Sequence, residues 1–238
     1  GLAGVIGMVA PGDPYIFAYG GGDPAVPGFT ITQVDATTLK GALANGEVVV
    51  AFDPAAGISL VQHMAGSSSR GPSVGLNQMK PEIGAPGASV SAVYGTGSDT
   101  MPFGGTSGAA PMVSGSAALL MQAYPERSWA EIKALLMNTG ETDIMNTAEF
   151  FGGYPAAISR IGGGEVRVDR SLMSPLAAWD RNELTGGLSW GFHEVATQTN
   201  LVKRVTIMNY GDEDITLRSD VSYRYDEDAG GEVRLSVP

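Results

Sequence analysis

The chain has 238 residues, with 14 Lys and Arg against 25 Asp and Glu for a formal net charge of −11, two histidines and no cysteine. An acidic chain without a basic cluster argues against a nucleic-acid partner, because affinity for a phosphate backbone rests on grouped Lys and Arg; the longest basic pair, Lys203-Arg204, reads as a solvated strand end. The missing thiols exclude disulfides, a cysteine nucleophile and thiolate metal sites while leaving the redox compartment open, and His63 and His193 are too few for a polyhistidine site.

No cofactor is evident. A structural calcium ion needs only oxygen ligands and remains possible, but no loop of readable spacing announces one.

In chain order, Gly1 to Ala10 is apolar but too short to span a bilayer, and no later stretch reaches membrane length. It is read as a buried strand cut open at its start, in a chain that has lost an upstream portion. Residues 11–30 are turn-rich, Phe29 to Val34 suggests a short strand, and Asp35 to Leu43 a small helix capped by Asp35 or Thr37. Glu47 to Phe52 is expected as a strand, Ser67 to Ser73 as a polar loop, Val90 to Tyr94 as a buried strand and Gly95 to Asp99 as a turn.

The clearest helix follows. Pro111 is tolerated only in a first turn, which puts the start near Ser107, and Pro125 stops the helix after Tyr124. Its many small residues suit burial against a sheet, with methionines 112 and 121 as core filler. A second helix is expected from Ser128, where Glu131 three residues on completes a capping box. Trp129, Ile132, Leu135 and Leu136 are to form its apolar face, and Gly140 its end. Val166 to Asp169 reads as a strand. From Thr185 the pattern is all strand, with runs at 201–208, 215–217, 221–225 and 233–237, as in the opening of a β-sandwich.

The segment that carries chemistry is Gly104-Gly105-Thr106-Ser107-Gly108-Ala109-Ala110-Pro111. It sets a hydroxyl at the amino end of a small-residue helix, where free N–H groups and the positive end of the helix favour a developing oxyanion. Glycines there let a substrate backbone approach. On these grounds alone, a serine at such a position is more readily a helix cap than a nucleophile, because its hydroxyl needs an imidazole to take its proton.

The same segment resembles the nucleophile motif of the subtilisin-like serine peptidases, a Gly-Thr-Ser followed by a variable residue, Ala, Ala or Thr, Pro, and then Val and Gly of the same helix. These fall at Gly105, Thr106, Ser107, Ala109, Ala110, Pro111, Val113 and Gly115, and the variable position, often Met, is Gly108. The surroundings are similar in the same order: Ser68 to Pro72, Lys80 to Gly87, Glu131 to Thr139 and Gly163 to Val168.

The resemblance implies an α/β fold, the carboxy-terminal part of a three-layer parallel sheet, over residues 63–182. Residues 1–62 are similar to the trailing part of a protease-associated insertion, and 185–238 to the start of a fibronectin-like β domain. It also implies a serine endopeptidase acting on peptides or proteins, secreted or associated with the cell envelope. Ser107 is the implied nucleophile, with Gly104, Gly105 and Thr106 in the substrate and oxyanion vicinity. The acid Asp, base His and oxyanion Asn of the family would lie upstream of residue 1, so the implied partner is the rest of the catalytic domain. The alternative is an inactive subtilase-like binding or structural module. His63 is read as a loop or strand-edge residue, His193 as a surface residue, and Asp99 as a turn residue that either shapes the cleft or is simply solvated.

Overall fold

A computed structural model describes residues 5–8, 28–51, 53–146, 152–231 and 233–237. The chain divides into two compact units, Gly1–Val61 and Gln62–Pro238.

In the first unit, β1 (Val5–Met8) pairs in parallel with β2 (Gly28–Ile31). Helix α1 (Gln33–Leu43) follows at once. Its cap is Thr32, whose hydroxyl accepts from the Asp35 N–H at 3.2 Å. The expected caps, Asp35 and Thr37, lie inside the helix instead. Asp35 at the third helical position reaches back to the Thr32 hydroxyl at 2.6 Å, so the helix starts two residues earlier than its sequence suggests. The strand expected at 47–52 does not form over the described residues 47–51. Val49 is 89% exposed there, and among the described residues no neighbouring strand supplies hydrogen-bond partners. The turn-rich stretch falls outside the described residues up to position 27.

The second unit opens with an irregular stretch and then forms an antiparallel hairpin of β3 (Ala88–Ala92) and β4 (Thr100–Gly104). Next come α2 (Thr106–Ala123), α3 (Trp129–Asn138), the short α4 (Ile158–Ile161) and α5 (Val168–Met173), then β5 (Leu176–Asp180). Strand β6 (Val205–Asn209) pairs with β5 in antiparallel fashion, and α6 (Asp226–Ala229) lies near the end. Helices and strands both contribute, as in an α/β protein, but the described pairings are two-stranded and no broader parallel sheet is seen among the described residues.

The core is built on α3. Ile132, Leu135 and Leu136 are buried together with Leu120 of α2 and Ala177 of β5, with Ile83, Val166 and Trp179 against them. The capping box forms as read: the Ser128 side chain accepts from the Glu131 N–H, and Glu131 Oε2 takes the Ser128 N–H at 2.7 Å. Trp129, expected on the apolar face, is 62% exposed, because the first residue of the helix points past the cluster that Ile132 and Leu135 enter. Two stretches far apart in sequence meet below this core. The Gly84 N–H donates to the Gly164 carbonyl at 2.8 Å and the Val166 N–H to the Gly84 carbonyl at 2.9 Å, a parallel bridge between the Lys80–Gly87 and Gly163–Val168 segments.

Three further expectations are corrected. Val90 is exposed rather than buried, since the hairpin packs on α2 through one face only. The Val166 to Asp169 stretch is a bridge at Glu165 followed by α5, not a strand. Met121 is 56% exposed and so is not part of the core formed by the described residues.

Beyond residue 185 only Val205–Asn209 forms a strand among the described residues. The runs at 215–217, 221–225 and 233–237 find no partner strand, and an unpaired strand has no ladder to satisfy its backbone. This carboxy-terminal stretch is anchored by side chains instead. Arg224 Nη1 and Nη2 each donate at 2.8 Å, to the carbonyls of Thr142 and Ile144, while its Nε reaches Ala156.

Lys203 is not a solvated strand end either. Its ammonium lies 3.2 Å from Asp180 Oδ2 and also pairs with Glu183. Burial pushes the Asp180 carboxyl up, but the N–H groups of Glu183 and Asn182 and the Lys203 charge outweigh this and hold it below the usual aspartate range. Near the start of α3, the Arg127 guanidinium stacks between the rings of Tyr124 and Tyr210, 3.6 and 3.8 Å from their centroids. The Tyr210 hydroxyl donates to Glu131. Burial and that bond push the phenol well above its ordinary value.

Candidate active site

The hairpin delivers the motif. β3 and β4 pair from Ala88↔Gly104 to Ala92↔Thr100, and the Val93 N–H donates to the Asp99 carbonyl at 2.9 Å to close the turn. After Gly104 the chain must swing from a strand into a helix within one residue. Gly105 makes that corner with φ 76° and ψ −167°, a conformation that side-chain-bearing residues rarely adopt. Its N–H is fixed to the Gly87 carbonyl at 2.7 Å. Gly104 is needed beside it for space, because a Cβ there would lie 2.9 Å from the Gly87 oxygen.

The corner decides what Ser107 can be. Gly105 is the N-cap of α2 and provides no side-chain hydrogen bond to the helix. Thr106 and Ser107 are therefore the first and second helical residues, so Ser107 is not the cap that its sequence context allowed. It is exposed, and among the described residues neither its hydroxyl nor its backbone N–H has a hydrogen-bond partner. An N–H at this position belongs to the first turn, where helix geometry leaves donors unpaired and aimed outward.

Pro111 does not sit in the first turn as expected. With the start at Thr106 it is the sixth helical residue, and its missing N–H leaves the Ser107 carbonyl without an intrahelical donor from that position.

The structure brings Gly104, Gly105, Thr106 and Ser107 together at one exposed corner. It brings no acid or base to Ser107 among the described residues. His63 lies in an isolated parallel bridge with Met145, outside any strand and next to the cluster of Ile144, Ala156 and Ile161 that Met64 joins; the sequence reads it as a loop or strand-edge residue. His193 is exposed and its Nε2 lies against the Trp190 carbonyl, beside an open cavity of about 300 Å³ that Lys203 and Leu201 help to line. Asp99 is exposed in the hairpin turn. Among the described residues no group of three or more acidic or histidine side chains stands close enough to hold a metal ion.

Sequence reasoning missed Ser89, whose hydroxyl donates to the Phe103 carbonyl and abuts the residue after Ser107. A lone serine at the start of a short strand carries no signal of that contact.

The serine hydroxyl thus stands out at the glycine-capped start of a helix, in a chain of mixed helices and strands. The subtilase family model (peptidase S8) matches residues 18–162, more than half of the chain, and the chain belongs to that family.

Among its relatives, the minor extracellular protease Vpr of Bacillus subtilis (strain 168) is 35% identical over 150 residues, covering 59% of this chain and 18% of the relative. The subtilisin-like protease SBT1.2 of Arabidopsis thaliana is 34% identical over 130 residues, 49% of this chain and 17% of the relative. SBT3.7 of the same plant is 31% identical over 182 residues, 70% and 23%. The chain thus spans less than a quarter of the length of each of these relatives. Among the described residues no helix is long and apolar enough to cross a membrane.

Proposed function

We propose that this chain is the carboxy-terminal part of the catalytic domain of a subtilisin-like serine endopeptidase, with Ser107 as its nucleophile. The observation that carries the reading is the unengaged Ser107 hydroxyl and N–H on the first turn of α2, presented by a glycine N-cap that has no side chain to engage the helix. In the reaction the Ser107 Oγ attacks the scissile carbonyl of a peptide or protein and loses its proton to a histidine supplied upstream. The tetrahedral oxyanion is held by the Ser107 N–H and an upstream asparagine amide. The leaving amine takes the proton, and water resolves the acyl-enzyme. Gly104, Gly105 and Thr106 line the approach of the substrate backbone.

The same proposal assigns residues 1–62 to the end of a protease-associated insertion, 63–182 to the peptidase domain and 185–238 to a fibronectin-like β domain. It places the protein outside the cell or on its envelope, in keeping with the word "extracellular" in the name of the Bacillus relative. Apolar side chains left exposed around the motif support a missing sheet in a three-layer fold: Val90, Met101 and Phe103 on the hairpin, and Leu119 and Met121 on α2. Without the upstream acid and base the isolated chain is expected to be nearly inactive, since losing a triad partner costs on the order of a million-fold in turnover.

Fluorophosphonate labelling of the chain, alone and assembled with its upstream segment, tests the reading. Labelling only in the assembly, and none with Ser107→Ala, is the expected result. A folded assembly that does not label would point to an inactive module on a peptidase scaffold.

A further inference from the structure

Gly108, directly after the nucleophile, is buried, yet its backbone gives no reason for a glycine. It is helical and is not among the residues with positive φ. In such a place alanine would ordinarily favour the helix by about 0.5–1 kcal/mol.

What excludes a side chain is the wall opposite. A Cβ on Gly108 would stand 2.6 Å from Ser89 Oγ and 3.1 Å from the Phe103 oxygen, the first a non-bonded distance that Cβ atoms essentially never show. Ser89 can yield only by giving up a hydrogen bond. Its hydroxyl donates to the Phe103 carbonyl, the residue directly across the hairpin from it. Turning it away would break that bond and leave the Phe103 oxygen still pressing on the new methyl. Phe103 in turn is two residues before the Gly105 corner, so one hydroxyl touches both the strand that enters the corner and the helix that leaves it.

We infer that Ser89 and Gly108 are a matched pair of positioning residues, in which the Ser89 hydroxyl fills the space a side chain at 108 would take and so sets where the first turn of α2, and Ser107 with it, rests against the hairpin. The inference deepens the peptidase reading and rests on Ser107 being the nucleophile. Neither residue touches substrate; both act through the position of Ser107.

The test is a double-mutant cycle in the chain assembled with its upstream segment, read by the rate of fluorophosphonate labelling and by kcat and KM on a peptide substrate. Gly108→Ala is expected to slow labelling and kcat on the order of 100-fold, the usual result of moving a reacting atom by about an ångström, with little change in KM. Ser89→Ala alone should cost about fivefold, the worth of one neutral hydrogen bond. The decisive variant is Ser89→Ala with Gly108→Ala, which should label faster than Gly108→Ala alone, because the 2.6 Å obstacle is gone.

A double variant as slow as, or slower than, Gly108→Ala would overturn the pairing, as would a Gly108→Ala protein that labels at the wild-type rate. Absence of Ser107 labelling in the unsubstituted assembly would instead overturn the peptidase reading and the positioning role together. Unfolding midpoints of the four proteins separate misplacement from unfolding: a Gly108→Ala protein that melts with wild type but labels slowly supports the pair.

Discussion

Helices α2 and α3 follow each other in the chain, separated by a short turn, and are both rich in apolar residues, but they meet opposite fates. The ten residues of α3 include six that are buried: Ala130, Ile132, Ala134, Leu135, Leu136 and Met137. The eighteen residues of α2 include three, Gly108, Ser116 and Leu120, while Leu119 and Met121 stand more than half exposed. Helix α3 is surrounded by elements of this same chain: α2, α5 and β5. Helix α2 touches the hairpin, α3 and α5 and offers its remaining surface to whatever else the protein brings. The contrast separates a helix that holds this unit together from a helix that carries the Gly-Thr-Ser segment at its exposed end. It also shows why composition cannot tell the two apart.

The contrast is open to attack at several strengths. Leu135 is fully buried, and Leu135→Ala should cost about 2–5 kcal/mol of unfolding free energy in the chain by itself, as other large-to-small core changes do. A cost under about 1 kcal/mol by denaturant titration would mean that α3 is not the core of this unit.

A smaller effect is expected from the Asp180–Lys203 pair, which ties β5 to the segment entering β6. Because the Asp180 carboxyl is held below its ordinary range, its stabilisation is fully present above that range, near pH 4, and is lost as pH falls through the lowered native value. Asp180→Asn should therefore flatten the fall of the melting temperature between about pH 5 and pH 3, and a variant with the wild-type slope would show that the pair contributes nothing.

The smallest effect belongs to α2. Leu119→Ser should change the stability of the isolated chain by no more than about 0.5 kcal/mol, as exposed substitutions do. In the assembly with the upstream segment it should cost several times more. Equal effects in the two forms would mean that this face of α2 stays bare.

Much of the local structure around the motif was legible in the residues themselves. The Gly-Thr-Ser segment, the helix that begins there and ends before Pro125, and the Ser128–Glu131 capping box are all local, set by residues within one or two turns of each other. Local rules also left errors where a neighbour decides. Thr32 won the cap of α1 over Asp35 and Thr37, because Asp35 serves better at the third position, turned back toward the cap. Strands proposed at 47–52 and beyond 215 had suitable residues, but a strand needs a partner to take its N–H groups, and periodicity does not reveal one. Lys203 reads as surface because the carboxylates that hold it lie about twenty residues upstream.

By itself, then, the sequence determined what depends on short range: the motif, its helix, the cap of the next helix, and through the ordered series of similar segments the family itself. Only tertiary structure decided that Gly105, and not Ser107, caps α2, leaving the serine hydroxyl unengaged. Only tertiary structure, too, set Ser89 against Gly108. Both outcomes follow from the hairpin folding its Gly87 carbonyl and Ser89 hydroxyl onto the start of the helix. Such contacts depend on distances in space between segments some fifteen to twenty residues apart, and no pattern along the chain encodes them.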